Sequence, residues 1–273
     1  MQFRTVFRSL IASGAALAVS GVLAPFLGCS STGGDSTTGK RIVLKARVEA
    51  PSAASFTSKQ GWAVTLSKAA VSTGAFYYYE GATIFAQRTP ATSANPLARF
   101  FTVGNAFAHP GHYQPGNARG EMLTASSVDL VAGGAELGVG DGVTGTVRSA
   151  TFSFGAPPAG PQAATLGSHV VVLEGKAVKG QDTRLFRAEI DAADIADLEN
   201  RPILEGCPFA ETELTADGTV TLTVNVPMWF ELVEFDQVAA SADGKPVTMD
   251  GIARNELVRG LKAGDRYVFT YTK

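Results

Sequence analysis

The chain has 273 residues, with 25 acidic against 23 basic side chains and only two cysteines. That balance leaves no basic patch of the kind nucleic acid requires, so nucleic acid is not an expected partner. The length is enough for one large β domain or two small ones behind an N-terminal leader.

The first residues read as an export signal. Arg4 and Arg8 give a positive start, and Leu10 to Leu27, broken only by Ser, Gly and Pro, gives the apolar stretch. Its end, Phe26-Leu27-Gly28-Cys29, reads as a lipobox, and in this the chain resembles bacterial lipoproteins. The resemblance implies removal of residues 1–28, a mature chain that begins at Cys29, and lipid on the Cys29 sulfur. It also implies a membrane partner through that lipid, because two or three acyl chains hold far more firmly than one, at ~0.8 kcal/mol per buried methylene. Ser30 rather than Asp follows the cysteine, which by the same resemblance favours the outer membrane, facing the periplasm. An uncleaved transmembrane anchor is the competing reading of this stretch.

After Cys29 the chain continues to Lys40 as Ser, Thr, Gly, Asp and Lys with no apolar side chain, which predicts a lipidated flexible tether over residues 29–40. With Arg4 and Arg8 gone and no acid lost, 21 basic residues face 25 acidic ones in the mature chain. The body is expected to be a single β-rich domain over residues 41–273.

Short runs rich in Val, Thr, Phe and Tyr, bounded by Gly, Asn, Asp and Pro, predict strands at Ile42–Glu49, Trp62–Ala69, Val71–Tyr79, Gly145–Phe154, His169–Val178, Leu185–Asp191, Thr219–Val226 and Tyr267–Thr272. Thr219 to Val226 alternates polar with aliphatic at every step, so one face is buried and the other wet. Ala192–Leu198 and Gly251–Leu261 are expected as helices, and Trp229–Phe235 as a turn or two of helix. The expected fold is therefore mainly β: an antiparallel β-sandwich with a few short helices. Residues 89–144, rich in Ala, Gly, Pro and Asn and poor in periodicity, are expected to form a long loop region, too long for an ordinary connection.

Two of the three histidines, His109 and His112, fall in that region, within His109-Pro110-Gly111-His112-Tyr113. A Pro-Gly turn is able to aim both imidazoles at one point. With His169 as a third donor, and Glu121, Glu174 or Cys207 as a fourth, the set suits zinc or copper. The alternative is that these histidines serve loop hydrogen bonding and turn packing. Cys207 is otherwise expected to be buried, as free cysteines generally are.

Gly140-Asp141-Gly142-Val143-Thr144-Gly145 matches the dinucleotide-binding glycine pattern by letter, but a strand rather than a helix is predicted after it, so a glycine-rich hairpin turn is the expectation. Phe76-Tyr77-Tyr78-Tyr79 should place rings on alternate faces, where aromatics suit either cross-strand packing or a sugar or flat ligand. Trp62 and Trp229 are expected in the core. Glu231 with Glu234, and Asp191 with Asp194, are read as solvated helix faces. The chain carries no nucleophile elbow, no His-Glu-x-x-His and no phosphate-binding loop. Together these features point to a lipid-anchored extracytoplasmic binding protein, with a transition metal as one ligand. A non-catalytic structural or interaction module that meets another envelope protein is the alternative, and a hydrolase using metal-bound water ranks third.

Overall fold

The structure, a computed structural model, describes residues 39–83 and 113–273, which belong to one compact unit. Its strands are β1 (Arg41–Glu49), β2 (Ser55–Thr57), β3 (Ala63–Thr73), β4 (Phe76–Tyr79), β5 (Ala118–Met122), β6 (Ser126–Asp129), β7 (Ala135–Val143), β8 (Gly145–Ser153), β9 (Val171–Lys179), β10 (Asp182–Ile190), β11 (Ile203–Leu214), β12 (Gly218–Val224), β13 (Val247–Thr248) and β14 (Tyr267–Thr272). Four short helices punctuate them: α1 (Ala163–Leu166), α2 (Ala192–Ile195), α3 (Val226–Trp229) and α4 (Gly251–Leu261). The fold is mainly β, as expected.

Its architecture departs from the expected antiparallel sandwich. Eight strands close into a barrel in the order β1-β12-β14-β11-β8-β4-β5-β7, with β7 returning to pair with β1. Closure removes the unpaired edges that an open sheet exposes. The other strands form a separate six-stranded sheet, β13-β10-β9-β3-β2, with β6 sharing the free side of β3 with β2. Three pairs run parallel, β1 with β12, β11 with β14 and β10 with β13.

Alternation explains which way each strand faces. Ile42, Leu44, Ala46 and Val48 of β1 and Val220, Leu222 and Val224 of β12 turn inward and are buried. Aromatic rings fill the barrel: Phe76 meets Phe269 edge-on at 5.6 Å, Phe152 stacks on Tyr267 at 4.9 Å, and Tyr78 meets Phe209 at 5.7 Å. The Tyr78 hydroxyl has no hydrogen-bond partner among the described residues, and burial pushes its phenol well up. This apolar interior with charged residues such as Lys45, Arg47 and Asp141 on the outer wall inverts the polar-in, apolar-out pattern of a transmembrane barrel. Among the described residues no helix is long and apolar enough to cross a membrane.

The second sheet packs its buried face on the helical segments. Phe186 of β10, Trp62, Phe230 and Phe235 form one ring cluster, with Phe186 and Phe235 5.1 Å apart and Phe230 stacked on Phe235 at 6.0 Å. Trp62 and Trp229 are both fully buried, as expected. Helix α4 spans the predicted residues but buries Ala253, Leu257 and Leu261, leaving Ile252 exposed. It approaches α3 so closely that a Cβ on Gly260 would lie 2.2 Å from the Trp229 carbonyl oxygen, a contact only glycine permits. The barrel and the second sheet share one continuous core.

Candidate functional site

A groove of about 350 Å³ opens on the outer wall of the barrel, lined by Arg41, Ala118, Arg119, Gly120, Glu121, Asp141, Gly142 and Val143. Three strands far apart in sequence build it. Strand β5 pairs with β7 over Gly120–Gly142 and Glu121–Asp141, and β7 pairs with β1 over Val143–Arg41 and Asp141–Val43. The β5 backbone crosses β7 closely: a Cβ on Gly140 would lie 1.9 Å from the Glu121 carbonyl oxygen. That glycine therefore sets where Glu121 sits. Directly opposite it, Asp141 places a second carboxylate on a neighbouring Cβ about 5 Å away.

Register extends the row. Tyr77 of β4 lies opposite Glu121, Glu121 opposite Asp141, and Asp141 opposite Val43, so these four residues cross four adjacent strands in line. Phe76 and Tyr78 face inward, which turns Tyr77 and Tyr79 outward with ring centroids 6.5 Å apart. The alternation of faces expected for this segment is observed.

The charges in the groove fall into two groups. Arg119 is spoken for: one arm forms an ion pair with Glu80, another donates to the Thr144 carbonyl oxygen at 3.4 Å, and Asn117 donates to Glu80 at 2.9 Å. Desolvation raises the Glu80 pKa, but the Arg119 and Asn117 hydrogen bonds outweigh it and hold the carboxyl below its usual range. The Arg41, Glu121 and Asp141 side chains, in contrast, make no hydrogen bond and no ion pair among the described residues. Like charges opposed across a strand pair weaken the fold slightly, so Glu121 facing Asp141 is not there for stability.

Elsewhere on the barrel, Tyr113 lies against β8 and β11. Its hydroxyl is 2.7 Å from Ser149 Oγ, and the Ser149 hydroxyl donates to the Gly81 carbonyl oxygen at 2.5 Å. Burial pushes the Tyr113 phenol up to about 12, with the Ser149 hydrogen bond opposing it. Gly81 N–H donates to the Pro115 carbonyl oxygen at 2.7 Å and Glu80 N–H to the Asn117 carbonyl oxygen at 3.1 Å, which extends the pairing of β4 with β5.

The metal donors named from sequence have different fates. His109 and His112 lie outside the described residues, as does Cys29. His169 precedes β9 in the second sheet, where its Nδ1 is 2.7 Å from Asp191 Oδ1 and its Nε2 is 3.6 Å from Glu189. Glu174 is engaged by Arg187 and by Lys68. Cys207 is fully buried in the barrel wall, as expected of a free cysteine, and its thiol donates to the Leu204 carbonyl oxygen at 3.4 Å. Burial pushes that thiol up to about 12, which keeps it protonated and a poor ligand. Glu121 stands in the outer groove. Among the described residues no three of His, Cys, Asp and Glu are grouped so as to hold a metal ion.

Two further readings change. Asp191 and Asp194 are not a simple solvated face: they form a capping box at α2, and Asp194 binds the Arg254 guanidinium at 2.5 Å. Glu231 pairs with Arg266 at 3.0 Å and with Lys59. The glycine run ending at Gly145 is not a hairpin either, because β4 and β5 lie between β7 and β8 in the barrel and the chain turns a corner at Thr144 to pass them. The groove itself was hidden from sequence reading, since its only local signal was the unexplained glycine spacing in β7. Comparison of the chain with protein-family models, with curated proteins and with solved structures found no significant match.

Proposed function

We propose that the mature chain is a non-catalytic, lipid-anchored binding module of the bacterial envelope, and that it holds its ligand in the groove between β5, β7 and β1. One observation carries this reading: the Arg41, Glu121 and Asp141 side chains line a concave surface on a closed barrel wall and have no side-chain partner among the described residues. Several charged groups elsewhere, such as Arg47 with Glu136 and Arg187 with Glu174, are paired, and a preorganised set of free donors and acceptors is what a ligand site needs. The lipobox ending at Cys29 supplies the address, with the tether over residues 29–40 leading into β1 at Arg41, itself a groove residue.

Hydrogen–deuterium exchange on the purified chain, with and without the soluble fraction of an envelope extract, tests the site. Protection confined to residues 118–122 and 139–143 is the expected result, and unchanged exchange there refutes it. Labelled fatty acid tests the anchor: Cys29→Ser abolishes incorporation, and equal labelling of wild type and variant overturns the lipoprotein reading.

The transition-metal role stays a separate proposal resting on His109 and His112, because His169 is already engaged by Asp191 and Glu189. Calorimetry with zinc and with copper at neutral pH tests it. Saturable uptake weakened by His109→Ala and by His112→Ala supports it, and no uptake ends it.

A further inference from the structure

Resting on the groove as the binding site, we infer that its ligand is a neutral saccharide lying across the strands, stacked on Tyr77 and hydrogen-bonded by Glu121, Asp141 and Arg41. The charge pattern selects the ligand class. A carboxylate only accepts hydrogen bonds and a guanidinium only donates them. Glu121 and Asp141 therefore repel an anion, whereas Arg41 repels a cation. A hydroxyl both donates and accepts, so a polyhydroxylated neutral ring satisfies both kinds of group at once.

Geometry agrees with chemistry. Tyr77, Glu121, Asp141 and Val43 stand in one row on four neighbouring strands, so the row spans three strand spacings, about 14 Å. That is the reach of a short oligosaccharide. Tyr77 and Tyr79, at the end of the row, face outward as a pair of half-buried rings. An aromatic face is electron-rich and attracts the polarised C–H face of a sugar ring, so the row offers a stacking surface at one end and directional polar groups in the middle. The groove is open and shallow enough for a chain to pass through rather than a single small molecule to be enclosed.

Calorimetry on the purified full chain in lauryldimethylamine oxide micelles, a detergent without sugar, tests the inference with four probes: chitotriose, maltotriose, triglycine and spermidine. Saturable binding of one or both trisaccharides is expected, and the pair separates recognition of the acetamido group from recognition of hydroxyls alone. Tyr77→Ala and Asp141→Asn are each expected to weaken that binding about tenfold or more, while Tyr77→Phe stays within about threefold of wild type, because stacking needs the ring and not the hydroxyl. Circular dichroism of each variant confirms that the fold is kept. If triglycine or spermidine binds in the groove and neither sugar does, the saccharide assignment is overturned while the groove remains the site. If no probe binds, or if the variants bind sugar as wild type does, the saccharide assignment falls, and the exchange at residues 118–122 and 139–143 alone decides whether the groove is the site.

Discussion

A charge ladder on the second sheet and the groove on the barrel wall treat their charges in opposite ways. On the second sheet, Lys68, Glu174, Arg187, Glu189, His169 and Asp191 form an unbroken ladder in which each group meets the next, and Asp194 with Arg254 continues the pairing onto α2 and α4. Around the groove on the barrel wall, Arg41, Glu121 and Asp141 make no ion pair among the described residues, although Arg47 pairs with Glu136 farther along the same strands. The first arrangement is self-satisfying and holds elements together. The second leaves donors and acceptors for something outside the chain. A surface that forgoes pairing where backbone register makes pairing easy is the better place to look for function.

The largest expected effect tests whether the two regions are separate at all. Because one core runs through both, Phe269→Ala in the barrel and Phe186→Ala under the second sheet should each cost about 3–5 kcal/mol and lower the urea midpoint of the whole body in a single transition. Two resolved transitions in either variant would split the molecule along the comparison drawn here. Gly140→Ala comes next. A methyl group there meets the Glu121 carbonyl, so β5 must retreat from β7, at a cost of about 1–3 kcal/mol, with exchange of the 118–122 amides rising first.

On the paired surface, Asp194→Asn should cost about 1–2 kcal/mol at pH 7, since Asp194 caps α2 and binds Arg254. Desolvation raises the Asp194 pKa, but the Arg254 hydrogen bonds outweigh it and hold the carboxyl below its usual range. A folded-state value below the unfolded one means the stabilisation is complete above about pH 4 and fades as the pH falls through the folded value. The difference between wild type and variant in chemical denaturation should therefore shrink below about pH 4, and a constant difference down to about pH 2 would contradict the assignment. The smallest effect has the opposite sign. Glu121→Gln should leave stability unchanged or raise it by a few tenths of a kcal/mol, because it relieves the facing carboxylates, whereas Glu189→Gln on the ladder should lower it by up to about 1 kcal/mol. Thermal melts that rank these two the other way would remove the basis for treating the groove as the binding surface.

Much of the fold was legible because local side-chain patterns drive it. Strands β1, β8, β12 and β14 and helix α4 fall within a residue or two of where alternation and periodicity put them. The break between β3 and β4 was placed too early, at Ala70, whereas the chain bends at Gly74-Ala75. Residues 118–143 were expected within a long loop region and instead hold β5, β6 and β7. In β7 the inward positions include Gly140 and Gly142, so no apolar alternation is visible; Leu44 from β1 reaches into the space, its Cδ1 only 2.6 Å from where a Gly142 Cβ would stand. Strand β11 was missed for a related reason. Pro208 and two shifts of register against β8 interrupt its pattern, and Gly206 takes a positive φ of 69°.

The sequence by itself determined the elements that depend on neighbours a few residues away: the alternating strands, the alternation of faces from Phe76 to Tyr79, and the burial of Trp62, Trp229 and Cys207. Tertiary structure alone decided that β7 returns to β1 and closes a barrel rather than one face of a sandwich, and that Arg41, Glu121 and Asp141 meet. Both outcomes rest on pairing between strands distant in the chain. Which strands pair, and in what register, is set by backbone hydrogen bonds that every residue except proline can make, so side-chain identity leaves that choice open until the whole core packs.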